Sequence, residues 1–290
     1  MKLLLTPAAL LFAAFASHAQ TDSSKASTEK PDTIRVGGMV IINKKGSTAG
    51  SNTDGGDSYT FKYSSSSNKK GKRLTTSWIN FDFGFSNYVD NTDYSSAAAM
   101  DYARAIRPNE PAYTKSDLRL KTGKSSNFNL WIVKQRYGLT RDSKLNARWG
   151  LMLETNNYRY ETENSYNDQS TPFMFRDSVT FSKNKLAMDY LTVPLMLGFN
   201  TKPFKGDGFS IGVGVSMGYL YSSRSKQVSD ERGKMKNKGN FDFEPWKFQY
   251  VAEIGLSAVK LYGSYSPQSM YSRGLDISPY NFGLRFGEWW

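Results

Sequence analysis

One segment near the middle of the chain alternates between large and small side chains. Residues 209–221, FSIGVGVSMGYLY, carry an apolar or aromatic residue at every odd position, with glycine or serine at most even positions. Successive side chains of a β-strand point to opposite faces, so the pattern predicts a strand with one apolar face. A tilted strand of about 9–11 residues crosses a bilayer core, and Tyr219 and Tyr221 would then lie at its interface. A strand of a soluble sandwich or barrel has the same pattern.

The alternation recurs in seven further segments. They lie at residues 78–88, 127–139, 145–158, 187–199, 246–257, 261–265 and 280–286. The connections between the eight segments are long, short, long, short, long, short and medium in turn, which is typical of barrels with short periplasmic turns and longer external loops. The sequence therefore predicts an all-β fold: an eight-stranded antiparallel up-and-down transmembrane β-barrel with a disordered N-terminal segment.

Two of these segments contain an irregularity. In residues 127–139 the apolar side chains fall on both faces near Ile132, which indicates a β-bulge. In residues 187–199 the alternation is regular, but Pro194 lacks the N–H group that a strand donates to its neighbour. We therefore expect a bulge or a local kink at Pro194.

The N-terminal part of the chain differs in composition from the rest. Residues 1–19 have the layout of a cleaved signal peptide, with Lys2 before an apolar run and small residues at its end. Residues 20–73 are polar and of low complexity, and we expect a periplasmic segment with one short strand at 33–42. The barrel itself is expected over residues 74–290. Export by a signal peptide and a membrane barrel together predict the outer membrane of a Gram-negative bacterium.

The sequence contains few of the residues that most catalytic sites need. It has no cysteine, and its single histidine, His18, lies in the predicted signal peptide. A mature chain without histidine cannot use a Ser-His-Asp mechanism, and zinc is an unsuitable metal where neither His nor Cys is present. We therefore expect no catalytic residues, no metal and no cofactor, and the chain is predicted not to be an enzyme.

Charged residues of both signs fall on the predicted inward faces of the strands. They are Asp82, Arg148, Glu154, Lys247, Glu253 and Arg285. Eight strands enclose a space just wide enough for side chains, so we favour an ion-pair network that fills the lumen. Two functional alternatives stay open. The lumen could select a small solute, as in a channel, or Glu154 and Glu253 could serve a carboxylate-dependent outer-membrane enzyme.

The formal net charge of +12 at pH 7 raises the question of anionic partners. Basic residues are spread through apparent loops without a nucleic-acid-binding motif, so we expect no nucleic acid partner. By strand parity the polar connection 222–244 lies on the external side. It carries Arg224, Lys226, Arg232, Lys234, Lys236 and Lys238. Our hypothesis is that this loop docks on lipopolysaccharide phosphates, and the alternative is a solvated mobile loop without a partner.

Three segments resemble a known family. WINFDFGF at 78–85, YLTVPLML at 190–197 and YNFGLRF at 280–286 resemble strands of PorT-type and OmpA-type eight-stranded outer-membrane barrels. The resemblance covers about 74–290. It implies a structural or surface-interaction role, contact with outer-membrane lipid, and recognition of the last strand by the barrel assembly machinery. Such families usually end on Phe, whereas this chain ends on Trp290.

Overall fold

The computed structural model describes residues 73–167, 171–203, 208–256 and 259–286, together with the backbone of three strands nearer the N-terminus. The chain divides into two units, Met1–Tyr63 and Ser64–Trp290. The predicted signal peptide lies outside the described residues. No helix in the described part of the chain is long and apolar enough to cross a membrane.

The N-terminal unit contains a small antiparallel sheet. Its strands are β1 (Asp32–Val36), β2 (Met39–Lys44) and β3 (Ser58–Tyr63), in the order β1-β2-β3. Residues 33–42 were expected to form one short strand, but they contribute to two paired strands instead. The sequence between them is Gly-Gly, a dipeptide that favours a two-residue hairpin turn.

Eight strands of the second unit close into a ring, which confirms the predicted eight-stranded barrel. They are β4 (Leu74–Asp90), β6 (Ser126–Gly138), β7 (Leu145–Arg159), β10 (Lys183–Asn200), β11 (Phe209–Ser229), β13 (Trp246–Leu256), β14 (Val259–Tyr265) and β15 (Ile277–Phe286). The order around the ring is β10-β7-β6-β4-β15-β14-β13-β11, and β10 pairs with β11 to close it. Every neighbouring pair is antiparallel.

The faces of the strands follow the predicted alternation. In β11, Val213 is 58% exposed, whereas Ser210 and Ser216 point inward and are buried. On β10, Leu195 and Leu197 are similarly exposed. An apolar outer surface around a polar interior is the arrangement of a membrane barrel. The outward aromatic residues Tyr219, Tyr221 and Trp246 mark one end of the lipid-facing belt, with the rings of Tyr219 and Trp246 5.0 Å apart.

The bulge expected in β6 is present. At Pro194, where a bulge or a local kink was expected, there is no bulge. The register between β6 and β7 shifts between Trp131 and Val133, so Ile132 is the extra residue. Pro194 lies directly opposite Ser216 in an unbroken register, and β10 shifts against β11 between Asp189 and Tyr190. Pro194 has no register partner on β7. A missing partner on one side accommodates the absent N–H without an inserted residue.

The long connections fold into a layer that we call the cap. It comprises residues 91–125, 160–167, 171–182, 230–245 and 266–276. Its elements are α1 (Ala97–Tyr102), β5 (Ala103–Arg104), β8 (Asn164–Asn167), β9 (Phe173–Arg176), β12 (Gly233–Lys238) and 3-10 turns at Lys115–Leu118 and Thr122–Lys124. A hydrophobic core that includes Tyr102, Leu118, Met174 and Phe241 lies inside the cap, with 0–1% exposure at these residues. The predicted long polar connections are thus largely folded.

Candidate functional site

The six charged residues predicted to face the lumen are buried, with exposures of 0–6%. The structure brings four of them into one cluster. Arg285 contacts Asp82 at 2.9–3.0 Å and Glu253 at 2.5 Å. Glu253 also pairs with Arg148, and it accepts a hydrogen bond of 3.0 Å from Lys260. One carboxylate is thus held between three cations, an arrangement that lets buried charges compensate each other.

The other two predicted residues form a separate cluster nearer the cap. Lys247 Nζ lies 2.6 Å from Glu154 Oε1. Glu154 also accepts hydrogen bonds from Thr192 at 3.0 Å, from Asn156 at 3.0 Å and from Asn281 at 3.3 Å. The carboxylate therefore has four donors around it.

The sequence interpretation missed several lumen residues. Lys134 lies over the ring of Trp131 at 4.0 Å, and Arg136 donates to the backbone oxygen of Ser143 at 2.6 Å. Lys260 lies directly opposite Arg285 in the register of β14 and β15. Strand parity was the signal that could have found Lys134 and Lys260. It was ambiguous in β6 because of the bulge, and β14 is short.

Little space is left among these side chains. Two interior cavities measure about 10 and 20 Å³, one beside Lys134 and Arg148 and the other beside Asn129 and Tyr262. Each is comparable to the space that one water molecule occupies. Among the described residues no group of three or more His, Cys, Asp or Glu side chains is placed to hold a metal ion.

Arg273 joins all four connections of the cap. It comes from the last connection and contacts Asp101 of the first at 2.9 Å and Asp242 of the third at 2.6 Å. Its guanidinium also donates to the backbone oxygen of Pro172 in the second, at 2.6 Å. A planar guanidinium with five donors is well suited to such branching contacts.

Further arginines join the connections in pairs. Arg176 contacts Asp117 at 2.7 Å and Glu110 at 3.4 Å, which ties the second connection to the first. Arg232 contacts Asp177 at 2.9 Å, which ties the third connection to the second. The cap is therefore held as one folded layer by charge-assisted contacts around its apolar core.

Tyrosine hydroxyl groups form hydrogen bonds with one another inside the cap. The hydroxyl of Tyr166 lies 2.7 Å from that of Tyr160 and 2.8 Å from that of Tyr271. Tyr102 donates to the backbone oxygen of Phe241 at 2.5 Å. Burial raises the pKa of Tyr166 and Tyr271 well above the ordinary value, so these groups stay protonated donors.

A basic surface lies on the outside of the barrel wall, beyond the aromatic end of the lipid-facing belt. We call it the basic wall. It consists of Arg159, Lys183, Lys185, Arg224, Lys226, Lys234, Lys236 and Lys238. Arg159, Lys185, Lys226 and Lys236 occupy one straight row across β7, β10, β11 and β12, because each lies directly opposite the next in register. Directly paired residues share a face, so the row presents four cations together.

The basic wall carries far more positive than negative charge. Arg224 pairs with Asp189, and the other seven cations make no salt bridge with any residue that the structure describes. Repulsion from Lys234 and then Lys183 lowers the pKa of Lys226, which lies in the part of β11 beyond the lipid-facing belt. Like charges in direct cross-strand positions destabilise a sheet unless a partner neutralises them.

The connection expected at 222–244 requires a correction. Its first part extends β11 to Ser229, and β12 pairs back on it, so the segment is a hairpin and not a loop. Arg232, which was grouped with the docking residues, pairs with Asp177 in the cap. Pairing with β10 and burial of Ser223 and Ser225 against the cap stabilise the hairpin, and neither contact is visible in a polar sequence.

Comparison with known proteins supplies the family. The model of the outer membrane protein beta-barrel domain matches residues 79–275. Two solved structures of Ail, the attachment invasion locus protein of Yersinia pestis, are 12% identical to this chain, with TM-scores of 0.27 and 0.28. One of them is a complex with the heparin analogue sucrose octasulfate. Each alignment covers 73% of this chain and 97% of Ail. No curated protein sequence matches.

The family match and the fold agree in detail. The matched region includes all or part of each of the eight strands except β15, and those strands close the ring described above. Their outer face is apolar and their inner face polar, as a barrel in the outer membrane of a Gram-negative bacterium requires. The chain belongs to the outer-membrane β-barrel domain family.

Proposed function

We propose that this small outer-membrane barrel, whose role is structural or one of surface interaction, is a closed barrel that anchors itself to lipopolysaccharide through the basic wall. The observation that carries the proposal is the row Arg159, Lys185, Lys226 and Lys236, which faces outward beyond the aromatic belt. Phosphate groups are the ligands that such a row would attract at short range.

The orientation of the barrel supports this partner. The connections at the cap end are long, whereas those at 139–144, 201–208 and 257–258 are short. Short turns face the periplasm in barrels of this kind, so the cap and the basic wall would lie on the external side of the membrane. The outer leaflet there carries phosphate-bearing lipopolysaccharide. The position of the wall just past Tyr221 supports this proposal, since cations there would lie near the level of the lipid phosphates.

The interior supports a role without catalysis or transport. Glu154 and Glu253, the pair considered for a carboxylate-dependent enzyme, are each 2% exposed and each held by cations. A substrate could reach them only if the ion pairs separated. Two interior cavities, of about 10 and 20 Å³, are each too small for a solute larger than water. The protein is therefore proposed to be neither an enzyme nor a channel.

The finer assignments rest on the sequence. The resemblance to PorT-type and OmpA-type barrels, cleavage of residues 1–19 and a periplasmic segment at 20–73 are parts of the same proposal. Recognition by the barrel assembly machinery is supported by the outward aromatics of β15, Phe282 and Phe286, which are 47% and 37% exposed. These side chains alternate along the strand, as such recognition requires.

The proposal is tested by lipid binding in detergent. We expect the purified full chain to bind hexa-acylated lipid A with both phosphates at least about tenfold more tightly than the same lipid after phosphatase treatment. The combined change Lys226→Gln, Lys236→Gln and Lys238→Gln should remove this preference, because it neutralises three of the eight cations. Native mass spectrometry of the complexes measures both affinities.

A matched control uses cations at the opposite end of the barrel. Arg141→Gln with Lys144→Gln changes exposed residues of the 139–144 turn and should leave the phosphate preference intact. Equal binding of both lipids by the unchanged protein would contradict the proposal. So would loss of the preference in the turn variant, since that would indicate a general charge effect. Heat-modifiable gel mobility checks that each variant is folded.

A further inference from the structure

A second polar site lies on the other side of the ring from β11. Beyond Phe85, β4 continues to Asp90, but β6 begins only at Ser126, opposite Phe85. Ser86 still donates its backbone N–H to Ser125, so the edge of β4 is without a neighbour from β6 at 87–90. The first cap connection runs beside this edge and leaves a groove of about 310 Å³ between them.

The walls of the groove are held in place by contacts within the protein. Tyr88, on the strand side, donates its hydroxyl to the backbone oxygen of Leu118 on the cap side. The turn that begins at Thr114 is closed by a capping box with Asp117, and Asp117 is in turn fixed by Arg176 at 2.7 Å. A preformed site loses little conformational entropy when a ligand binds.

The rim of the groove is cationic. Lys115 and Arg119 are exposed and line it. Lys115 makes no salt bridge with the described residues, and Arg119 reaches only Glu161, at 4.0 Å, where both side chains are well exposed. An exposed pair at that distance contributes little and separates easily. Asp90, the acidic residue of the lining, already accepts hydrogen bonds from Thr92 and Tyr94.

The remaining lining combines hydrogen-bonding groups with an apolar side. Asn87, Ser116 and Thr122 supply an amide and two hydroxyls, while the half-buried Tyr88 supplies the apolar side and Leu118 and Leu120, which are 1% and 6% exposed, form its floor. Polar groups that alternate with apolar surface suit a sugar ring, and two cations at the rim suit a phosphate on that ring. We propose that the groove binds a phosphorylated saccharide.

The saccharide has two conceivable sources, the headgroup of an outer-leaflet glycolipid or a soluble sugar phosphate. Exposure of the groove to either rests on the outward orientation of the cap proposed above. Binding itself does not rest on the wall lysines of β11 and β12, since β4 and β11 are separated by three strands in each direction around the ring. Arg159 is the wall residue that adjoins the groove, because its backbone oxygen accepts a hydrogen bond from Lys121. The two sites can therefore be tested apart.

The experiment is titration calorimetry of the full chain in detergent with glucosamine 1-phosphate. Glucosamine and inorganic phosphate, each alone, are expected to bind at least about tenfold more weakly, because each supplies half of the contacts. Lys115→Gln with Arg119→Gln should weaken sugar phosphate binding by at least about tenfold. Arg141→Gln with Lys144→Gln, in the turn at 139–144, is the control and should leave it unchanged. Lys234→Gln with Lys236→Gln reports separately on the basic wall.

The outcomes separate the alternatives. Competition by diphosphorylated lipid A supports the site with a glycolipid source, and binding without such competition supports it with a soluble source. Inorganic phosphate that binds as tightly as the sugar phosphate overturns the proposal, as does a folded Lys115→Gln, Arg119→Gln protein that binds normally. Absence of sugar phosphate and lipid A binding in the unchanged protein overturns it too. Loss of binding in the Lys234→Gln, Lys236→Gln protein alone would assign the ligand to the basic wall and overturn the groove proposal.

Discussion

The lumen and the basic wall use the same kinds of charged side chain in opposite ways. In the lumen the single carboxylate of Glu253 contacts three cations, Arg148, Lys260 and Arg285. Glu154 contacts Lys247. Of the eight cations on the wall, Arg224 alone pairs with a carboxylate among the described residues, that of Asp189. The lumen clusters satisfy their carboxylates internally, whereas the wall is left with charge that only an external group can neutralise.

This difference shows how to separate structural from interacting charges in a barrel. A buried ion must be compensated by the protein itself, because lipid and a packed lumen offer no other partner. An exposed row of like charges is tolerated in water but raises the energy of the sheet that carries it. Removing a lumen charge should therefore destabilise the fold, and removing a wall charge should affect binding.

The largest expected effect is that of Glu253→Gln. The change removes the one carboxylate between three cations, and breaking a buried ion pair from one side costs about 3–5 kcal/mol. Urea unfolding of the protein in vesicles measures the free energy of unfolding. Glu161→Gln is the control, since its contact with Arg119 is 4.0 Å long and exposed, and it should leave the unfolding curve unchanged. An equal loss of unfolding free energy in Glu253→Gln and Glu161→Gln would refute the distinction between buried lumen charges and exposed charges.

The lipid face should respond next. Val213 is 58% exposed on the outer surface, and arginine near the bilayer midplane costs about 2–4 kcal/mol in such barrels. Val213→Arg should therefore lower the unfolding free energy by this amount.

Two neighbouring glycines sharpen the test of the faces. A Cβ on Gly212 would approach Glu253 Cγ at 3.0 Å, whereas one on Gly214 would overlap the backbone oxygen of Leu195. Gly212→Ala should be milder than Gly214→Ala, because a side chain yields more easily than backbone. If the Val213→Arg protein inserts normally, the assignment of Val213 to the lipid-facing side of β11 is wrong.

The cap should show a smaller and local effect. Arg273→Ala removes contacts to Asp101, Asp242 and the backbone of Pro172, and hydrogen bonds with charged groups contribute about 1.5–3 kcal/mol. Because Arg273 is about a third exposed, we expect the lower end of that range. Amide hydrogen exchange should accelerate several-fold in the cap and stay constant in β10 and β11. Faster exchange throughout the barrel would show that the cap is not a separate layer.

The smallest effect concerns pH. Burial tends to raise the pKa of Asp117, but hydrogen bonds from Arg176 and Thr114 outweigh it and hold the pKa below its ordinary value of 3.8. A carboxyl with a lowered pKa in the folded state contributes stability above pH 3.8, and this contribution is lost as the pH falls through the folded pKa. Protease cleavage of the cap should therefore rise below pH 3.8. Asp117→Asn should be cleaved faster at pH 7 and show a weaker acid response.

The sequence predicted the barrel well because the membrane imposes a local rule. Lipid on one face and a narrow lumen on the other require period-two alternation, which is visible in each strand by itself. The bulge at Ile132 was predicted for the same reason, since it breaks the alternation. Of the bulge or local kink expected at Pro194, no bulge forms, because an absent donor needs only an absent acceptor. Val193 and Pro194 both lack a register partner on β7.

The cap and the basic wall depend on contacts between distant segments. Arg273 and Asp101 are far apart in sequence, and the row of Lys185, Lys226 and Lys236 exists only through the register of three strands. No local period encodes either arrangement. The predicted lumen residues were found by parity, but their division into two clusters around Glu154 and Glu253 follows from the closure of the ring.

One measurement tests the central comparison directly. Thermal unfolding midpoints are recorded in vesicles with and without lipopolysaccharide for the unchanged protein, for Glu253→Gln and for Lys226→Gln with Lys236→Gln. We predict that Glu253→Gln lowers the midpoint equally in both vesicles, whereas the lysine variant is lower than the unchanged protein only when lipopolysaccharide is present. A lysine variant that gains as much from lipopolysaccharide as the unchanged protein would contradict the account.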